Sequence, residues 1–185
     1  MKVLTGLLFL CALLALSQAA AVAGNMGDPA GVEIELAAEE AVVDEEVDMV
    51  KRSNSCPPGW SLIKSRCFRY VAKALSWARA EKNCLSMGAN LASVNDLDEY
   101  HQVQSLITWV SHGSKETWIG GTNAQETSIW LWSDGSPLRY TNWCRGEPSN
   151  YKGGQRCLEI NYSGEKCWDD DFCYVQLPSV CAKKI

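Results

Sequence analysis

The 185-residue sequence has no Cys-x-x-Cys pair and only two histidines, His101 and His112. Zinc sites need such Cys and His ligands at short spacing, so a zinc module is excluded. No nucleophile stands near either histidine, and enzymatic catalysis is not expected. Basic residues are not gathered into a stripe or patch, which excludes a nucleic-acid surface. No apolar run reaches the length of a membrane-spanning helix, so no span is expected. From Ala20 to Val50 the chain also lacks any base, aromatic residue or cysteine.

What is present begins with a secretion signal. Lys2 is its basic start, Leu4 to Leu16 its apolar stretch, and Ser17-Gln18-Ala19 fits small-x-small cleavage. Residues 1–19 are therefore read as signal peptide and the protein as secreted and extracellular. Residues 20–52 form an acidic segment that cannot bury enough apolar surface to offset its chain entropy. It ends in the dibasic pair Lys51-Arg52 and reads as a pro-segment removed by a processing protease, or as a linker. Nine of the 22 acids lie in this segment, and three of the 17 bases lie before Ser53. That leaves 13 acids and 14 bases from Ser53 onward. The net charge of −5 thus belongs to the leader, and residues 53–185 are near neutral.

Of 9 cysteines, Cys11 lies in the signal. The other eight are Cys56, Cys67, Cys84, Cys144, Cys157, Cys167, Cys173 and Cys181. An even number in a secreted domain of this size reads as a disulfide framework, and spacing alone leaves about 105 connectivities open. Ser76 can cap a helix with Trp77, Ala80, Cys84 and Leu85 on one face, stopped at Gly88. Asn95 can cap a second, with Leu97, Tyr100, Val103 and Ile107 on its buried stripe and Asp98 in its first turn. Short strand-like runs follow at Trp118-Ile119-Gly120-Gly121, Trp130-Leu131-Trp132 and Cys157 to Asn161. Helices first and strands later indicate an α+β fold: two helices, small antiparallel sheets and a long loop region. The polar stretch from Asp134 to Gly154 is long for a compact domain, and such loops are usually functional.

Two segments carry chemistry. Trp143-Cys144-Arg145-Gly146-Glu147-Pro148-Ser149-Asn150 places a carboxylate beside a proline in that loop. Cys167-Trp168-Asp169-Asp170-Asp171-Phe172-Cys173 places three carboxylates between two cysteines. Hard oxygen ligands on a disulfide-tied loop suit Ca²⁺. Asn161-Tyr162-Ser163 is an N-glycosylation sequon, with Asn161 as acceptor.

Several motifs occur in order: Cys56-Pro57-Pro58-Gly59-Trp60, Cys67-Phe68, Trp77-Ala78, Ala89-Asn90-Leu91-Ala92-Ser93, Trp118-Ile119-Gly120-Gly121, Trp132-Ser133-Asp134-Gly135 and Val180-Cys181. Together they resemble the C-type lectin domain, in particular secreted fish lectins of the ladderlectin kind and type II antifreeze proteins. The resemblance covers Cys56 to Lys184. It implies four disulfides, Cys56–Cys67, Cys84–Cys181, Cys157–Cys173 and Cys144–Cys167, the last similar to a bridge in type II antifreeze proteins.

The resemblance also implies one calcium site, with ligand positions falling on Glu147, Ser149, Gln155, Asp169 and Asp170. Only Glu147 and Asp170 keep the family's usual residue type. Ser149 replaces Asn or Asp, Gln155 replaces Glu, and Asp169 replaces Asn. Three carboxylates are nevertheless retained, because Gln155 loses a charge and Asp169 gains one. Ser149 is the poorest ligand, and Asn150 can stand in for it if the loop shifts by one residue. One weak Ca²⁺ site is expected. The sugar-binding positions would be Glu147, Ser149, Gln155 and Asp169, with Tyr151 a candidate for stacking on a sugar face. The exchange between Gln155 and Asp169 blurs the usual mannose-type or galactose-type assignment. An auxiliary calcium site falls on Asn123, Thr127 and Arg156 and looks lost. Trp143 is expected in the core beneath the loop, and Asp171 at the solvent face.

The function so implied is a secreted, calcium-dependent carbohydrate-binding lectin that recognises microbial or host glycans in innate defence, with oligomerisation possible. The alternatives are a type II ice-structuring protein, or a calcium-independent protein-interaction module on the same fold.

Overall fold

In the computed structural model the described residues are 55–185. The signal peptide, the acidic segment and Lys51-Arg52 lie outside them.

Among the described residues the domain opens with two strands before any helix. Strand β1 (Ser61–Ile63) and β2 (Arg66–Leu75) form a hairpin in which Ile63 pairs with Arg66, and the Cys56–Cys67 disulfide staples its base. The helices-first order read from sequence is thus corrected. Phe68 and Tyr70 alternate inward along β2, a period-2 signal. Helix α1 (Trp77–Leu85) starts at Ser76 as expected, although the serine side chain makes no capping bond. Ala80 and Cys84 are buried, whereas Leu85 is exposed and leaves the expected apolar face. Gly88 has φ +67°, Ala89 N donates to Cys84 O and Gly88 N to Leu85 O. This is a Schellman ending, which needs a left-handed residue at the position glycine holds.

After β3 (Asn90–Leu91) comes α2 (Leu97–Ser111). Its cap is Asp96 rather than Asn95, because the Asp96 carboxylate accepts from Glu99 N at 2.9 Å. The helix therefore starts one residue later than expected, and Leu97 in its first turn faces solvent. Glu99, Tyr100, Val103 and Ile107 form the buried stripe. The Glu99 carboxylate accepts from Asn95 N and pairs with Arg66 at 2.7 Å, tying the helix to β2.

The remaining strands are β4 (Thr117–Thr122), β5 (Leu131–Trp132), β6 (Gln155–Tyr162), β7 (Cys167–Phe172) and β8 (Leu177–Lys184). They join a single sheet in the order β1-β2-β8-β4-β6-β7, with β3 on β8 and β5 on β4. The expected small antiparallel sheets are thus one mixed sheet, because Trp118 of β4 pairs parallel to Ser179 of β8. The segment read as a carboxylate-bearing loop, Cys167 to Phe172, is itself a strand paired with β6. Gly120 and Gly121 allow close packing on β4. A Cβ at Gly120 would lie 2.6 Å from Leu91 O, and one at Gly121 would lie 2.6 Å from the Leu158 side chain.

All four disulfides implied by the resemblance are formed. Trp168 is the aromatic hub of the core. Tyr100, Trp132, Tyr140 and Trp143 meet its ring edge to face, with centroids 5.5–6.2 Å away. Cys144 N donates to Trp168 O and Trp168 N to Asn142 O, so the long loop is pinned onto β7. Trp143 lies beneath the loop as expected.

Candidate metal centre and its surroundings

Strand β7 carries Asp169 and Asp170 between two cross-linked cysteines, Cys167 and Cys173. The pinned loop brings Glu147 to them, with the Glu147–Pro148 peptide bond cis. One carboxylate oxygen from each of Glu147, Asp169 and Asp170 lies within 4.8 Å of the other two. Oxygens bound to one Ca²⁺ at about 2.3–2.6 Å are at most about 5 Å apart, so the three suit a single ion.

The backbone of the loop already holds this arrangement. Ser149 N donates to Glu147 Oε2 at 2.7 Å and to Asp170 Oδ1 at 2.8 Å. Asn150 N donates to Asp170 Oδ2 at 2.9 Å. Gln155 is in the same network, its Oε1 accepting from Ser149 Oγ at 3.1 Å and from Tyr151 N at 2.7 Å. The five expected ligand positions are therefore brought together. Asp169 Oδ1 and Asn150 Oδ1 are both buried without a hydrogen-bond partner. Buried acceptors rarely stay unpaired, and a cation is one way to satisfy them. The set contains only oxygen donors, which fits Ca²⁺ and not zinc.

Charge crowding points the same way. Burial, then the Glu147 carboxylate bonded beside it, pushes Asp169 up to about 7. Burial raises Asp170 as well, against the lowering effect of the two loop amides. Glu147 is held below its ordinary value. Burial raises it, but hydrogen bonds from Ser149 and Asp169 outweigh that effect. A carboxylate group this dense resists full ionisation until a positive charge joins it.

A residue that the sequence reading passed over completes the acidic environment. Glu159 on β6 pairs with Asp169 across the sheet, is only 3% exposed, and leaves Oε2 unpartnered. Burial, then Glu116, Asp171 and Asp169, pushes it up to about 9. The signal was a lone carboxylate between Leu158 and Ile160 in an apolar strand.

Other expected residues fall as follows. Tyr151 is 57% exposed, with Lys152 Nζ 5.1 Å from its ring centroid. Asn123 Nδ2 donates to Thr127 O and Arg156 Nη2 to Gly153 O, so those positions of the auxiliary site supply no carboxylate. Asp171 is half-buried rather than at the solvent face, and its Oδ1 accepts from Phe172 N. Asn161 is 4% exposed, its amide donating to Lys115 O and accepting from Gln104. The sequon's acceptor amide is thus engaged by hydrogen bonds within the folded domain. His101 and His112 line an open groove of about 790 Å³ with Trp109 on the outer side of α2. None of the five ligand positions reaches that groove.

Residues 73–183 match the family model described as the lectin C-type domain. The chain belongs to the C-type lectin domain family. It is 43% identical over 141 residues to ladderlectin of Oncorhynchus mykiss, covering 76% of this chain and 74% of the relative. It is 34% identical over 180 residues to a type-2 ice-structuring protein of Brachyopsis segaliensis, covering 97% and 98%. These are names of lectins and ice-structuring proteins, not of enzymes. Among solved structures, a Ca²⁺-dependent type II antifreeze protein in its Ca²⁺-free form matches with TM-score 0.65 and 34% identity. That match covers 70% of this chain and 100% of that one. A calcium-independent type II antifreeze protein matches almost equally, with TM-score 0.64 and 35% identity over 70% and 95% of the two chains. Membership of the C-type lectin domain family therefore does not by itself decide calcium use; the residues of each site must.

Proposed function

We propose that residues 53–185 form a calcium-dependent carbohydrate-binding lectin. One ion would be held by Glu147, Asp169 and Asp170, with Gln155 and Ser149 or Asn150 completing the shell. The carrying observation is the convergence of the Glu147, Asp169 and Asp170 carboxylates, together with a buried, unpartnered oxygen on Asp169. Bound Ca²⁺ would supply a Lewis-acidic point that vicinal sugar hydroxyls can coordinate. Around it, Glu147 and Asp169 accept hydrogen bonds from those hydroxyls, while Gln155 donates through its amide. The lectin relatives support glycan binding and the signal-like leader supports secretion; the reading extends this to microbial or host glycans recognised in defence.

A second reading is ice structuring. The similarity to an ice-structuring protein runs over 97% of the chain, and the Cys144–Cys167 bridge agrees with it. Against it stand the charged residues Arg145, Lys152 and Arg156 around the loop, which suit a polar ligand better than a flat apolar one.

A glycan array run in calcium and again in chelator tests the first reading. Binding lost in chelator and restored by calcium is the expected result. No glycan bound in calcium, with thermal hysteresis in the same preparation, would transfer the site to ice.

A further inference from the structure

Beside the metal centre, β7 continues from Asp170 to Phe172. Residues two apart on a strand share a face and lie about 7 Å apart. Phe172 also pairs directly with Gln155 across the sheet, so its ring shares a strand face with two of the candidate ligands, Asp170 and Gln155. The ring packs down over Gly154, where a Cβ would lie 2.7 Å from Phe172 Cε1. Tyr174 then stacks on Phe172, with centroids 5.3 Å apart and planes at 25°. Tyr174 is 71% exposed. An aromatic pair fixed from below and open above is a ready stacking surface.

We propose that Phe172 and Tyr174 form a second saccharide subsite, which takes the sugar residue next to the one held on the ion. This rests on the glycan-binding reading above. Tyr151, the stacking candidate from sequence, is less suited, because the Lys152 ammonium already lies over its ring. Among the described residues no cation lies over Tyr174. Neither Phe172 nor Tyr174 carries a charge, and the tyrosine offers an apolar ring with a hydroxyl at its tip. That combination matches a sugar, with its apolar C–H face and polar rim, better than a charged peptide. The ligand class becomes an oligosaccharide rather than a single terminal sugar.

Isothermal titration in saturating calcium tests this, with methyl α-mannoside and methyl β-galactoside set against mannobiose and lactose. Wild type should bind the disaccharide of its preferred series at least fivefold tighter than the corresponding monosaccharide. Tyr174→Ala should reduce that ratio to near one, and Tyr174→Phe should keep it. Calcium titration of each variant serves as the check on folding. A wild-type ratio near one, or a ratio that survives Tyr174→Ala, overturns the subsite alone. No binding of any of the four sugars overturns both the subsite and the glycan reading.

Discussion

Glu159 shows what a single buried carboxylate does to this domain. Its folded-state pKa lies near 9, well above the ordinary glutamate value, because burial and three neighbouring carboxylates oppose its ionisation. Between about pH 4.5 and 9 the unfolded chain has released this proton and the folded chain still holds it. Stability therefore falls as pH rises through that window, by up to about 1.4 kcal/mol per pH unit from this group, and levels off above it. Glu159→Gln removes the proton step. Denaturation midpoints measured in chelator from pH 5 to 9 should shift in favour of the variant as pH rises. Parallel curves for the two proteins would mean that Glu159 is not buried as described. At this scale the grouping of residues was legible. The resemblance assigned Glu147, Ser149, Gln155, Asp169 and Asp170 to one ligand set, and the fold brings these five positions together. The role of Glu159 was not legible, since a strand pattern gives no hint of which cross-strand partner a buried acid will face. Nor was the burial of Asn161, because a sequon says nothing about which way its side chain points.

At the scale of elements, strong local signals read correctly and weak ones did not. Gly88 ends α1 as expected, and the strand-like runs became β4, β5 and β6. The cap of α2 slipped by one because Asn95 and Asp96 are both good capping residues, and only the Glu99 amide decides between them. Strand β7 was hidden by three consecutive aspartates, which have low strand propensity. Pairing with β6 and cross-links at Cys167 and Cys173 override that preference. Close packing between elements was equally hidden, and Gly120 gives a direct test. Its added methyl would meet the Leu91 carbonyl, which belongs to backbone and cannot swing aside. Gly120→Ala should destabilise the domain by about 1–3 kcal/mol in chemical denaturation. Gly113, with nothing within 4 Å, should tolerate alanine with little change. Equal effects at the two glycines would show that β4 and β3 do not pack this closely.

For the whole molecule, preorganisation is the unifying feature. The strand that carries Asp169 and Asp170 is cross-linked at both ends, and its Trp168 is clasped by four aromatic rings. The loop that carries Glu147 is bonded to Trp168 through Cys144 and Asn142. The acidic site is thereby held together at the cost of charge crowding, which the proposed cation would relieve. Pairing of the eight cysteines came from family resemblance, since spacing alone left all connectivities open. The sheet's parallel β4–β8 pairing was not legible, because it joins residues far apart in sequence. Calcium titration of the folded domain by calorimetry, beside Asp170→Ala, tests the central claim most directly. The expected result is one site with Kd about 10⁻⁴–10⁻³ M in wild type and none in the variant. Absence of binding in wild type at millimolar calcium, or undiminished binding in Asp170→Ala, would contradict it.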